Sequence, residues 1–163
     1  MIKTSFLELL RTLDRHGVQH VVVGGVAAIL EGAPITTLDL DVVYRTDRDN
    51  LLRLAAALTE IEAVYRDPAR RRIEPTPERL RANRVNLMQT RLGLFDAMQR
   101  IGAGWSHADV RSRAHPLRVG ELEVWTLDLA AIIESKEAAD RDKDRAMLPI
   151  LRRTLEQRTK AES

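Results

Sequence analysis

The stretch VVVGGVAAILEGAPITTLDLDVV, residues 21–43, decides how this chain is read. A run of valines stops at Gly24-Gly25, and Asp39-Leu40-Asp41 follows shortly after. Residues 18–23 are too short and too β-branched for a helix and read as a buried strand. Residues 38–44 read as the next strand. Alternation puts Asp39 and Asp41 on one face, about 7 Å apart, with Leu38, Leu40 and Val42 facing the other way. Two unpaired carboxylates that close repel, and partial burial raises their pKa values. The pair is therefore either a solvated edge or the holder of a cation. Carboxylate oxygens suit Mg²⁺, which usually completes its octahedron with waters and substrate phosphates.

The glycines bear on that choice. A tight turn directly after a buried strand, opening a helix, lets backbone N–H groups approach a phosphate with no Cβ in the way. A turn that needs positive φ accounts for one glycine better than for two. The pattern is neither a dinucleotide fingerprint nor a phosphate-binding Walker loop, because Gly-x-Gly-x-x-Gly and Gly-Lys-Ser/Thr are both absent.

Working outward, residues 4–16 predict a helix capped by Thr4 or Ser5, with Phe6, Leu9, Leu10 and Leu13 at helical spacing and Gly17 ending it. Residues 26–31 favour a short helix closed by Gly32 and Pro34. Asp47 caps a helix through about Thr59. A strand is expected over 61–65, then a proline-marked loop with a short helix starting at Pro77. Residues 85–90 and 94–98 form a hairpin, residues 105–110 a loop or short helix, and 117–119 with 122–125 a second strand pair. Asp128 caps a helix over 129–139, and residues 142–158 form another, kinked or restarted at Pro149.

This alternation, within 163 residues of which 44% are hydrophobic, implies an α+β (mixed α/β) chain forming one domain over 1–163. Residues 1–126 would form the sheet core, with the helices of 127–163 packed on it. With no cysteine, disulfides and thiolate metal sites are excluded. Neither a signal peptide nor a membrane-spanning apolar run is visible, so a soluble, cytoplasmic protein with no membrane partner is expected.

The net charge of +2 says little, but arginines crowd one segment. Arg66, Arg70, Arg71, Arg72, Arg79, Arg81 and Arg84 stand against only Asp67, Glu74 and Glu78. Such a cluster either meets phosphates or forms a solvated loop. His16, His20, His107 and His115 show no metal-ligand spacing and read as surface or turn residues. Ser106-His107 lacks a nucleophile elbow, and Trp105 and Trp125 read as core or pocket walls.

Taken together, Val23-Gly24-Gly25 and Asp39-Leu40-Asp41 resemble the signature of the nucleotidyltransferase superfamily that includes DNA polymerase β. That resemblance implies the nucleotidyltransferase fold, a small mixed sheet flanked by helices. It also implies a third carboxylate on a neighbouring strand, for which Asp96 in LGLFDAMQ is the candidate. The tail VWTLDLAAIIESKEAADRDKDRAMLPILRRTLE, residues 124–156, looks like the C-terminal segment of AbiEii/MenT-type and related minimal nucleotidyltransferases. In that group an apolar helix leads to Lys, Arg and Asp at the spacing of Lys136, Arg141 and Asp144. One position departs from the pattern: relatives often carry arginine four residues before the first metal aspartate, where this chain has Ile35, although Thr37 fits.

The resemblance implies transfer of a nucleoside monophosphate from an NTP with two Mg²⁺ (or Mn²⁺) ions. Asp39, Asp41 and Asp96 would be the metal ligands, Gly24, Gly25 and Thr37 would serve substrate, and Lys136 would neutralise triphosphate charge. Arg141 and Asp144 are either part of that substrate site or a plain ion pair at i, i+3. Without the resemblance, Lys136 reads rather as a solvated helix lysine paired with Asp140 at i+4. The expected activity is that of a toxin–antitoxin toxin acting on the 3′ end of tRNA, with a cognate antitoxin as partner. Transfer of AMP to a HEPN-type partner protein, and a nucleotide-binding module without turnover, are the alternatives.

Overall fold

The computed structural model describes residues 3–163, with Thr4 described by its backbone only. Helix α1 (Thr4–Arg15) buries Phe6, Leu9, Leu10 and Leu13 on one side. Its N-cap position is Lys3, whose side chain makes no capping hydrogen bond, in place of the expected cap at Thr4 or Ser5. Strand β1 (His20–Val23) runs directly into α2 (Gly24–Leu30), which begins at the glycines rather than after them. Strand β2 (Asp39–Tyr44) leads to α3 (Arg48–Glu60), whose first turn is capped by the Asp47 carboxylate accepting from Asn50 N–H. Helix α3 continues into residues expected as strand: Ile61 N–H still donates to Ala57 O, and Glu62 turns the chain at φ +57°. Strand β3 is therefore only Val64–Tyr65.

Thr76 and Pro77 open α4 (Pro77–Ala82), followed by β4 (Val85–Thr90) and β5 (Gly93–Met98). Ser106 caps α5 (His107–Arg111) in a reciprocal box with Asp109, a structural use of that hydroxyl. Strands β6 (Ala114–Val119) and β7 (Leu122–Leu127) are longer than their apolar centres indicate. Helix α6 (Leu129–Ala139) has Asp128 as its cap, accepting from Ala131 N–H. Helix α7 (Asp142–Glu162) passes through Pro149 without restarting. Pro149 is exposed, so the hydrogen bond it removes lies on the solvent side, where water can replace it. No helix among the described residues is long and apolar enough to cross a membrane.

Among the described residues the strands make one seven-stranded mixed sheet, ordered β3-β4-β5-β2-β1-β7-β6. The central pairs β2–β5 and β1–β7 are parallel; the others are antiparallel. Leu40, Val42 and Tyr44 of β2 are fully buried on one face, in a core shared with α1, α3 and α4. Buried Asn50 ties the strand ends to α3: its side chain accepts from Gln19 N–H at 2.7 Å and donates to Gln19 O at 3.0 Å and Arg45 O at 2.6 Å. On the opposite face lie Asp39 and Asp41. There β4 exposes Val85, Leu87 and Gln89, so the sheet is open beside the carboxylates.

Candidate active site

Asp39 and Asp41 share a face because β2 alternates, and β5 supplies the third carboxylate because it lies parallel to β2 with Asp96 in register with Asp41. The hairpin with β4 fixes where β5 begins. Thr90 Oγ1 donates to Gly93 O at 2.8 Å and accepts from Leu92 N–H at 3.0 Å, clamping the turn that launches β5. One carboxylate oxygen from each of Asp39, Asp41 and Asp96 can be chosen so that all lie within 4.8 Å of one another. Oxygens sharing one Mg²⁺ octahedron sit about 3–4 Å apart, so small side-chain rotations would close this set on an ion.

The donor set also lacks what a self-sufficient buried cluster needs. Asp41 Oδ1 and Asp96 Oδ1 are buried without a hydrogen-bond partner. Buried polar atoms left without partners carry a desolvation cost, which a cation would remove. The proton affinities say the same. Burial, then the charges of Asp39 and Asp96, push Asp41 up to about 8, with Lys136 pulling the other way. Burial and a proton shared with Asp39 push Asp96 up to about 6, against the pull of Arg66. For Asp39, burial works upward but is outweighed by hydrogen bonds with Asp96, Thr37 and Asp41 and by the charge of Lys143, so it ionises below the usual carboxylate range. Three carboxylates this close cannot all be charged alone; they hold protons where they could hold metal.

Both glycines have a packing reason. Gly24 sits at φ +65°, and a Cβ there would lie 2.4 Å from Asp41 Oδ2. A Cβ on Gly25 would lie 2.8 Å from Thr37 Oγ1. The first glycine thus makes room for a candidate metal ligand, and the second for the residue that orients another: Thr37 Oγ1 donates toward Asp39 Oδ1 at 3.3 Å and Asp39 O at 3.2 Å. Ile35, at the position where the sequence resemblance implied arginine, packs on the core.

The tail forms a second cluster. Asp144 is wholly buried and holds Lys136 Nζ at 3.3 Å and Arg141 Nε at 2.7 Å. Burial disfavours its charge, but the Arg141 hydrogen bond and the Lys136 and Arg141 charges win and hold it below the usual range. The helical pairing of Lys136 with Asp140 does not form. Asp140 leaves the helix at φ +48° and pairs with Arg145. Lys136 is instead held on Asp144, near enough to β2 for its charge to act on Asp41. Lys143, not singled out by the sequence, acts in the same way on Asp39. Its position one residue before Asp144 is the only sequence signal that could have pointed to it.

The arginine-rich segment divides. Arg71 pairs with Asp67 and Arg72 with Glu74, while Arg66 reaches Asp96 at 3.0 Å. Arg70, Arg81 and Arg84 have no ion-pair partner among the described residues. The tryptophans carry arginines on their faces, Arg111 over Trp125 and Arg113 over Trp105, which fits walls rather than open stacking platforms.

No family model and no curated protein matches the sequence. The fold is similar to that of a provisionally assigned nucleotidyltransferase from Thermotoga maritima, with a TM-score of 0.55 and 15% identity over 96% of each chain. It is also similar to the antibiotic-resistance factor ANT(2'')-Ia, with a TM-score of 0.60 and 14% identity over 93% of this chain and 83% of that one. The chain has a nucleotidyltransferase fold.

Proposed function

We propose that this protein is a metal-dependent nucleotidyltransferase that moves a nucleoside monophosphate from an NTP to a macromolecular acceptor. The observation that carries the reading is the Asp39–Asp41–Asp96 cluster, with two buried carboxylate oxygens that accept no hydrogen bond, on the open face of a nucleotidyltransferase fold. Asp39, Asp41 and Asp96 would hold Mg²⁺ or Mn²⁺. Bound there, the ions would supply a lowered pKa for the acceptor hydroxyl and neutralise charge on the leaving pyrophosphate.

The protein's own groups divide the work by side. Gly24 and Gly25 lie on the β1 side of the aspartates, and their backbone amides serve the triphosphate. Lys136, held by Asp144, adds a positive charge on that side, and Lys143 takes over the charge that Ile35 does not provide. Thr37 keeps Asp39 oriented. The acceptor comes from the β4 side, where Leu87, opposite Asp96, is exposed. There its oxygen bonds to the α-phosphorus as pyrophosphate departs, and the hydroxyl proton is released.

The acceptor we propose is RNA, specifically the 3′ end of tRNA, and the biological role that of a toxin held in check by an antitoxin. Support comes from the tail resemblance and from Arg70, which has no ion-pair partner among the described residues and lines the depression beside Arg66. Labelled NTPs incubated with the protein, Mg²⁺ or Mn²⁺, and total tRNA test this. Label should appear at the RNA 3′ end and fall at least about a thousandfold with Asp39→Asn. Label on a co-expressed HEPN-type protein instead would move the acceptor to protein. No transfer to RNA or protein by folded enzyme, with NTP still bound, would leave a binding module.

A further inference from the structure

Arg66 is placed where no sequence pattern puts it. Its Nη1 lies 3.0 Å from Asp96 Oδ1, with both side chains largely shielded (32% and 11% exposed). The contact is a charge contact only: it is off the line of a hydrogen bond, so Asp96 Oδ1 remains without one. The arginine is moored to β4 by groups unrelated to the carboxylate. Its backbone N–H donates to Leu87 O at 2.9 Å, and Nη1 donates to Met88 O at 3.2 Å. Releasing Asp96 therefore leaves the guanidinium with a partner. Asp39 and Asp41, by contrast, make no ion pair among the described residues; Lys136 and Lys143 act on them only through their field. Beyond Arg66 the chain enters an open depression lined by Tyr65, Arg70, Arg71, Arg72 and Gln89, on the side from which Asp96 can be approached.

We infer that Arg66 is a tethered counter-ion that closes the Asp96 side of the metal site until an acceptor phosphate draws the guanidinium away. The inference rests on the nucleotidyltransferase reading and adds a control to it. In the resting protein Asp39 and Asp41 accept one divalent ion, while the second, which needs Asp96, competes with a positive charge already in place. An acceptor phosphate arriving over β3 and β4 offers Arg66 a stronger, bidentate partner. Asp96 is then freed at the moment an acceptor is present, and NTP alone meets an incomplete site. Arg66 is thus a positioning residue for the acceptor and a brake on idle turnover.

Mn²⁺ titrations of the full-length protein, followed by electron paramagnetic resonance, test this without any turnover. Wild type should bind one ion tightly and a second weakly. Arg66→Gln should tighten the second by roughly ten- to a hundredfold, the scale of losing a charged contact. Arg66→Lys, which keeps the charge, should stay close to wild type, and Asp96→Asn should bind one ion whatever stands at position 66. A second measurement uses fluorescein-labelled tRNA in EDTA. Asp96→Asn should raise its affinity several-fold when Arg66 is present and not in the Arg66→Gln background. A folded Arg66→Gln protein whose second ion binds no tighter overturns the inference while leaving the enzyme reading intact. Absence of Mn²⁺ binding to wild type, or its survival in Asp39→Asn/Asp41→Asn, overturns both.

Discussion

Replacing Asp41 by asparagine should make the metal-free protein more stable, although it removes a candidate catalytic ligand. In the unfolded chain Asp41 ionises near 3.9. In the folded protein burial and the charges of Asp39 and Asp96 hold it up to about 8. Between those two values the folded state keeps a proton that the unfolded state has released. Stability therefore falls as pH rises through this window and levels off above about 8. By pH 7 the loss from this group is about 4 kcal/mol. Asp39, held below its ordinary value partly by its hydrogen bond with Asp41, works in the opposite direction and reduces this figure. Asparagine has the shape of the protonated acid and cannot ionise. In EDTA at pH 7–8 the Asp41→Asn protein should thus melt roughly 5–15 °C above wild type, and the gap should narrow toward pH 5. Mg²⁺ should narrow the gap: wild type gains about 2.7 kcal/mol at a hundred times its dissociation constant, and the variant gains little. Thermal and urea melts followed by circular dichroism at pH 5, 7 and 8 measure all of this. A variant less stable than wild type in EDTA at pH 8, or a gap that ignores pH, would refute the reasoning.

Metal binding itself should follow the same protons. Mg²⁺ affinity measured by calorimetry should climb between pH 5.5 and 8.5, as Asp96 (about 6) and then Asp41 (about 8) give up their protons to make room for the ion; a flat profile would mean these carboxylates are not the ligands. Gly24→Ala places a methyl 2.4 Å from Asp41 Oδ2 at a φ of +65°. It should cost about 1–3 kcal/mol in urea unfolding and weaken Mn²⁺ binding, where a simple turn glycine would show only the first effect. Asp144→Ala leaves Lys136 facing Asp41 without its buried partner. It should lower stability by about 3 kcal/mol and raise the KM for NTP more than it lowers kcat; unchanged NTP kinetics would make Asp144 purely structural.

Much of the candidate site can be seen in short-range patterns. Period-two alternation alone puts Asp39 and Asp41 on one face, and Asp47 and Asp128 are visible as helix caps because capping depends on a few adjacent residues. The errors come where a local preference meets a competing one. Thr4 and Ser5 are good capping residues, yet the helix starts so that Lys3 takes that place. The i, i+4 rule pairs Lys136 with Asp140 only while the helix continues, and it stops there. Pro149 predicts a break, yet α7 loses one solvent-side hydrogen bond and continues because Leu148 and Leu151 remain buried.

The sequence by itself determined the alternating α and β elements, the face shared by Asp39 and Asp41, and the turn at Gly24-Gly25, all properties of residues within a few positions of one another. Tertiary structure alone decided the rest. Asp96 meets Asp41 because β5 lies parallel beside β2, and Gly24 is required because Asp41 fills the space of its missing side chain. Arg66 ends on Asp96 because β3 and β4 carry it across the sheet edge. Contacts between strands far apart in the chain depend on which edges pair and in what register, and no local periodicity encodes that choice.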